Sequence, residues 1–244
     1  MNQLTPATVL ELWEAGLART PAARADLLLA SARADRRDDD PSEELADWPV
    51  GRRDRALLEH FCPPRAVLDA VADCPACGSS LDVAVDPRAL RAHSSADAVT
   101  VEVGEDQVVV RAVTVGDLRS MPVDGSPETL RSALLERCVV RATRAGKQIS
   151  PRELPAATVD RIESTLDELD PAGDLEVVLT CGDCGETWAE SLDPVRFAWA
   201  ALETSARRLA TDVHTLARAY GWTEHDILAL SAFRRHLYLS AVEP

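Results

Sequence analysis

The sequence predicts an α+β protein: a split four-cysteine zinc ribbon with a nested β-hairpin and helical insertion, flanked by N-terminal and C-terminal helical segments. Three observations predict it. Two cysteine turns, Cys74-Pro-Ala-Cys77-Gly78 and Cys181-Gly-Asp-Cys184-Gly185, each sit between stretches of strand character. Apolar residues recur at helical spacing toward both ends of the chain. Between the turns lie roughly 100 residues, too many for a loop inside a compact domain, so the ribbon must carry an insertion with structure of its own. The division that follows is a helical segment with a charged linker at 1–64, the ribbon core at 65–193 with its insertion at 87–173, and a helical hairpin at 194–244.

Taken in order, Thr5-Pro6 opens a first helix, with Val9, Leu12, Trp13 and Leu17 on one face and Gly16 near its end. Thr20-Pro21 opens a second, in which Leu27, Leu28 and Leu29 face the core. From Arg33 to Glu44 charge replaces apolar residues and periodicity vanishes, which reads as an exposed linker. Trp48-Pro49-Val50-Gly51 reads as a turn, and Arg52 to Phe61 as a helix with Leu57, Leu58 and Phe61 inward. Arg65 to Asp73 and Leu81 to Val85 bracket the first cysteine turn, and Asp86-Pro87 reads as a helix start.

Inside the insertion, Asp97 to Val103 and Gln107 to Val113 alternate as strands about a Gly104-Glu105-Asp106 turn. Ser126-Pro127-Glu128 caps a helix through about Val140. Beyond Pro151 and Pro155, the spacing of Val159, Ile162, Leu166 and Leu169 is helical, and Asp170 to Gly173 closes that helix. Asp174 to Thr180 and Glu186 to Leu192 flank the second cysteine turn, followed by Asp193-Pro194 at the same offset as Asp86-Pro87 after the first. The repeated unit suggests a pseudo-two-fold ribbon. From Val195, apolar residues at Trp199, Leu202, Ala206, Leu209, Val213, Leu216 and Tyr220 form a coiled-coil-like seam. Gly221 ends it, and Thr223 with Asp226 caps a last helix through Ile227, Leu230 and Leu237.

The chemistry concentrates in Cys74, Cys77, Cys181 and Cys184. Two thiols separated by two residues and followed by glycine make a tight turn that aims both sulfurs at one ion, and two such turns supply a four-thiolate shell for a structural Zn²⁺. A redox dithiol is the competing reading of one Cys-x-x-Cys, but a matched second pair and the lack of a βαβ pattern weigh against it. A catalytic zinc needs an open position, which four thiolates close. Cys62 and Cys138 have no partner at ligand spacing and read as small buried residues; His214 and His225 read as exposed helical histidines.

Composition bounds the rest. The 244 residues are 46% hydrophobic, enough for a sizeable core, and carry a net charge of −15 with a pI near 4.7. That charge opposes binding to nucleic acid or to anionic membrane, and Arg234, Arg235 and His236 do not reverse it. No apolar run approaches the roughly 18 residues a membrane span needs, no signal-peptide pattern opens the chain, and thiolate ligands suit a reducing cytoplasm. Neither a nucleophile–base spacing nor a phosphate-binding glycine loop is evident, so the expectation is a protein without enzymatic activity or a small-molecule substrate.

The N-terminal LTPATVLELWEAGL, the ADCPACG and CGDCGETW turns, and above all LARAYGWTEHDILALSAFRRHLYL near the C-terminus give the chain a further meaning. Together they resemble the baseplate proteins, or baseplate hub assembly chaperones, of contractile-tailed phages and phage-tail-like contractile injection systems. The resemblance spans almost the whole chain. HFCPPRAV before Cys74 departs from it, as does the strongly charged stretch Asp35 to Glu44. It implies a role in tail or baseplate assembly, with other baseplate or tail hub proteins as partners. A zinc-ribbon adaptor of nucleic-acid or transcription machinery is the alternative, and would need a basic face in the fold.

Overall fold

A computed structural model describes residues 4–34, 44–62, 68–85, 97–122 and 124–242. The central part of the charged linker, the Asp86-Pro87 pair and residues 65–67 of the first predicted strand lie outside these. Thr5 opens α1 (Pro6–Leu17), its hydroxyl accepting the Thr8 N–H at 3.1 Å, and α2 (Pro21–Ala34) follows after a short turn. Gly16 is more than a helix terminator. A Cβ built there would lie 2.3 Å from the Trp199 ring, so the glycine lets that indole pack directly on the α1 backbone.

The stretch read as a turn at Trp48 to Gly51 is instead a buried crossing. α3 (Val50–Phe61) starts two residues earlier than predicted, with Pro49 before its first turn. Trp48 is 1% exposed. The Val50 N–H donates to Val113 O at 3.0 Å and the Val115 N–H to Trp48 O at 2.9 Å. These bonds tie the helical segment to the insertion.

α7 (Pro194–Tyr220) is the longest element, opened by Asp193, which accepts the Val195 N–H at 2.9 Å. Its seam packs within the chain. Val195, Trp199, Leu202, Ala206 and Leu209 share one buried cluster with Val9, Leu28, Leu29, Leu57 and Phe61 of the first three helices. The last part of the seam meets α8 (Glu224–Leu228) and α9 (Ala232–Val242) after Gly221, whose φ of 68° reverses the chain. The single predicted last helix is thus two. The Ser231 hydroxyl accepts the Arg234 N–H at 3.3 Å and starts a new helix where the old one would have continued.

The insertion holds more sheet than predicted. β3 (Val99–Val103) and β4 (Asp106–Val110) form the expected hairpin, but β5 (Val139–Arg144) and β6 (Lys147–Gln148) extend it to four antiparallel strands. The helix expected to reach Val140, α5 (Pro127–Cys138), stops where the β-branched pair Val139-Val140 begins. Ala145 and Gly146, with φ of 48° and 76°, then make the two-residue turn that right-twisted hairpins prefer. α4 (Val115–Arg119), also unpredicted, is fixed by a reciprocal cap between Thr114 and Asp117. α6 (Ala156–Leu169) covers the sheet, burying Ile162 and Leu169 against Val101, Val108, Val110 and Ala142.

Two further antiparallel pairs remain: β1 (Leu68–Asp73) with β2 (Ser80–Val85), and β7 (Glu176–Thr180) with β8 (Thr187–Ser191). They form separate two-stranded sheets. Among the described residues no helix is long and apolar enough to cross a membrane.

Candidate metal centre

The two separate hairpins carry the same tip. In the first, the Cys74 N–H donates to Ser79 O at 2.9 Å and the Gly78 N–H to Cys74 O at 2.8 Å. In the second, the Cys181 N–H donates to Glu186 O at 2.8 Å and the Gly185 N–H to Cys181 O at 3.0 Å. Gly78 and Gly185 sit at φ of 75° and 77°, a left-handed conformation that a side chain would strain. Each tip therefore turns within a few residues and leaves both of its sulfurs at the end of the hairpin.

The four sulfurs converge. Cys74 Sγ lies 3.6 Å from Cys184 Sγ, and Cys77 Sγ 3.6 Å from Cys181 Sγ. All four are within 4.8 Å of one another. A disulfide needs sulfurs about 2.05 Å apart, so these are free thiols. A tetrahedral ion with metal–sulfur bonds of about 2.3 Å has sulfur–sulfur edges of about 3.8 Å, close to the observed contacts. Cys74 and Cys181 are buried and Cys77 and Cys184 exposed, so each hairpin supplies one sulfur from below and one from the surface.

Electrostatics give this donor set its chemistry. Hydrogen bonding with the Ser79 hydroxyl and amide, with a further contribution from Cys184, brings the Cys77 thiol down to about 6. The Glu186 N–H draws Cys184 the same way, but hydrogen bonding with Cys77, then desolvation and hydrogen bonding with Cys74 and Cys181, outweigh it and push Cys184 up to about 12. Cys77 gives up its proton readily, whereas Cys184 holds its own in hydrogen bonds to the other sulfurs. A divalent cation at the centre would favour the deprotonated form of all four thiols.

Below the tips, the hairpins share a small apolar base. Val85, Leu175 and Ala172 are buried with Leu58 and Cys62, and Phe197 of α7 packs against them. Cys62 belongs to this base, and burial pushes its thiol up to about 11. Cys138 is fully buried at the end of α5 and likewise raised to about 11, chiefly by burial. Both are packing residues, apart from the cluster of four cysteines. His214 and His225 are exposed, and among the described residues no group of potential metal ligands includes them. Ser79 escaped notice in the sequence because a serine after Cys-x-x-Cys-Gly has no distinctive spacing.

Comparison with family models, with curated proteins and with solved structures gives no match.

Proposed function

We propose that the protein is a non-enzymatic, zinc-stabilised baseplate component or chaperone-like assembly factor of a contractile phage tail or contractile injection system, acting in the cytoplasm. The observation that carries the metal half of this reading is the convergence of four sulfurs from hairpins roughly 100 residues apart into one tetrahedron-sized cluster. All-thiolate tetrahedral sites select zinc or iron, and four sulfurs close enough to surround a single ion suit a structural Zn²⁺. Its role is to hold two hairpins as one rigid surface for other baseplate or tail hub proteins.

The assembly half rests on the resemblance of LARAYGWTEHDILALSAFRRHLYL and the two cysteine turns. A net charge of −15 supports protein partners over nucleic acid. Deleting the gene from a complete tail gene set should leave the other tail proteins expressed and abolish sheathed particles, with Cys74→Ser reproducing the loss. Normal particles in the deletion strain overturn the reading.

A further inference from the structure

Both 3.6 Å sulfur contacts of the cysteine cluster run across the hairpins: Cys74 Sγ meets Cys184 Sγ, and Cys77 Sγ meets Cys181 Sγ. Each contact joins unlike partners. Cys74 and Cys181 are buried, whereas Cys77 and Cys184 are open to solvent. A small diffusible oxidant therefore reaches one sulfur of each pair directly. Cys62 and Cys138 are buried and lie outside the cluster.

Four cysteines allow three disulfide pairings. Joining Cys74 to Cys181 and Cys77 to Cys184 would put both buried sulfurs in one bond, with neither of them in the oxidant's path. Joining the cysteines within each turn would leave the hairpins, which form separate sheets, without a link at their tips. In the crosswise pairing the sulfurs are already in contact, and closing 3.6 Å to a bond of about 2.05 Å takes a small side-chain rotation.

We propose that the cluster is a site of oxidative modification by hydroperoxides, which convert it into two crosswise disulfides, Cys74 to Cys184 and Cys77 to Cys181. In each pair the exposed thiolate attacks one oxygen of hydrogen peroxide, the O–O bond breaks, hydroxide leaves and the sulfur is oxidised to a sulfenic acid. The buried thiolate then attacks that sulfur, the S–O bond breaks and a second hydroxide leaves. Both hydroxides take up the protons the two thiols gave, so two thiols and one peroxide yield one disulfide and two waters. A disulfide sulfur is no longer a thiolate ligand, so any bound Zn²⁺ is released. Oxidation then exchanges a metal clamp for covalent links between residues 110 and 104 positions apart, and the hairpins stay joined. The inference rests on the convergence of the sulfurs, not on zinc occupancy or a baseplate role.

Treating the full chain with two equivalents of hydrogen peroxide, blocking free thiols with N-ethylmaleimide and mapping peptides without reduction tests it. The product should link the peptide holding Cys74 and Cys77 to the one holding Cys181 and Cys184, leave Cys62 and Cys138 as free thiols, and return to the reduced form with dithiothreitol. Double variants assign the partners. Cys77→Ser with Cys181→Ser, or Cys74→Ser with Cys184→Ser, should form its disulfide at least about tenfold faster than Cys77→Ser with Cys184→Ser, whose remaining sulfurs are both buried. Because these variants lose the four-sulfur shell, amide exchange of the oxidised wild type is a further readout: β1, β2, β7 and β8 should stay protected in the presence of a chelator, and lose protection once dithiothreitol is added. Disulfides confined within each turn, sulfinic or sulfonic acid at Cys77 and Cys184 without a crosslink, or thiols left free by about a tenfold excess of peroxide overturn the proposal. A chain that holds no zinc yet forms the crosswise disulfides overturns the structural zinc and supports this inference.

Discussion

The cysteine hairpins and the insertion are both antiparallel sheet, but they are held together by different physics. In the insertion, Val108, Val110 and Ile162 are fully buried between sheet and helix, and four strands share the load. The hairpins have two strands each, do not pair with one another, and leave Val71 and Val178, three residues before the first cysteine of each tip, 66% and 75% exposed. An isolated two-stranded hairpin is marginal in water. Sulfur convergence at the tips and a few residues at the base do for the hairpins what a layered core does for the insertion.

The largest effect should come from removing the metal. Structural zinc contributes on the order of 10 kcal/mol to small peptide sites, more than any single side chain in the insertion. Wild type should hold one zinc per chain, and Cys181→Ser or a strong chelator should release it. Amides of β1, β2, β7 and β8 should then exchange rapidly with solvent while those of Val108, Val110 and Ile162 stay protected. Loss of protection in the insertion at the same rate would show that the two regions fold as one unit and erase the contrast.

The converse substitution is Ile162→Ala. It removes a fully buried side chain from beneath the four-stranded sheet, at an expected cost of about 2–5 kcal/mol. Denaturant unfolding should register that loss while zinc content stays at one per chain. Zinc loss in this variant would mean that the insertion positions the hairpin tips, and the metal would no longer be independent of the core. Gly16→Ala, which drives a methyl into the Trp199 ring, should cost roughly 1–3 kcal/mol through the helical core and leave metal content unchanged as well.

How far the sequence revealed each region follows from how local its determinants are. The cysteine spacing and trailing glycines encode the tips within five residues, so the convergence of the four cysteines was legible in the sequence. Threonine–proline, serine–proline and aspartate–proline caps placed the starts of α1, α5 and α7, because a cap acts on its own neighbours. β5 was missed because Val139-Val140 continues the apolar run of α5, and only its pairing with β4 decides for strand. Trp48 to Val50 looked like a turn because its hydrogen bonds go to Val113 and Val115, far along the chain. The bond from the Gly51 N–H to the Asp170 carboxylate has no sequence signature at all, since it arises from where α6 ends relative to α3.

The smallest and most discriminating effect concerns two buried aspartates, one supporting the insertion and one beneath the helical core. Asp106 accepts Arg144 Nε at 2.6 Å and the Thr158 hydroxyl at 2.9 Å, and the Arg144 hydrogen bond foremost holds its carboxyl below the usual range. Asp54 is 3% exposed, and burial raises its carboxyl despite the bond from Arg53, with Asp193 and Asp170 adding to the rise. The signs are opposite. Asp106 contributes stability that is present above the unfolded carboxylate value of about 3.9 and lost as pH falls through its lower folded value. For Asp54 the folded state binds the proton more tightly than the unfolded chain, so ionisation opposes folding, and that opposition fades as pH falls through the raised folded value. Asp106→Asn should therefore lower the thermal midpoint at pH 7 by roughly 2–4 °C, with the gap to wild type closing in acid. Asp54→Asn keeps an acceptor for Arg53 without the charge, and should leave the pH 7 midpoint equal or higher, again converging with wild type in acid. Midpoints for the three proteins between pH 3 and pH 8 decide the matter. Equal losses at pH 7 that persist in acid would mean that both residues act by shape and hydrogen bonding alone, and that charge distinguishes neither region.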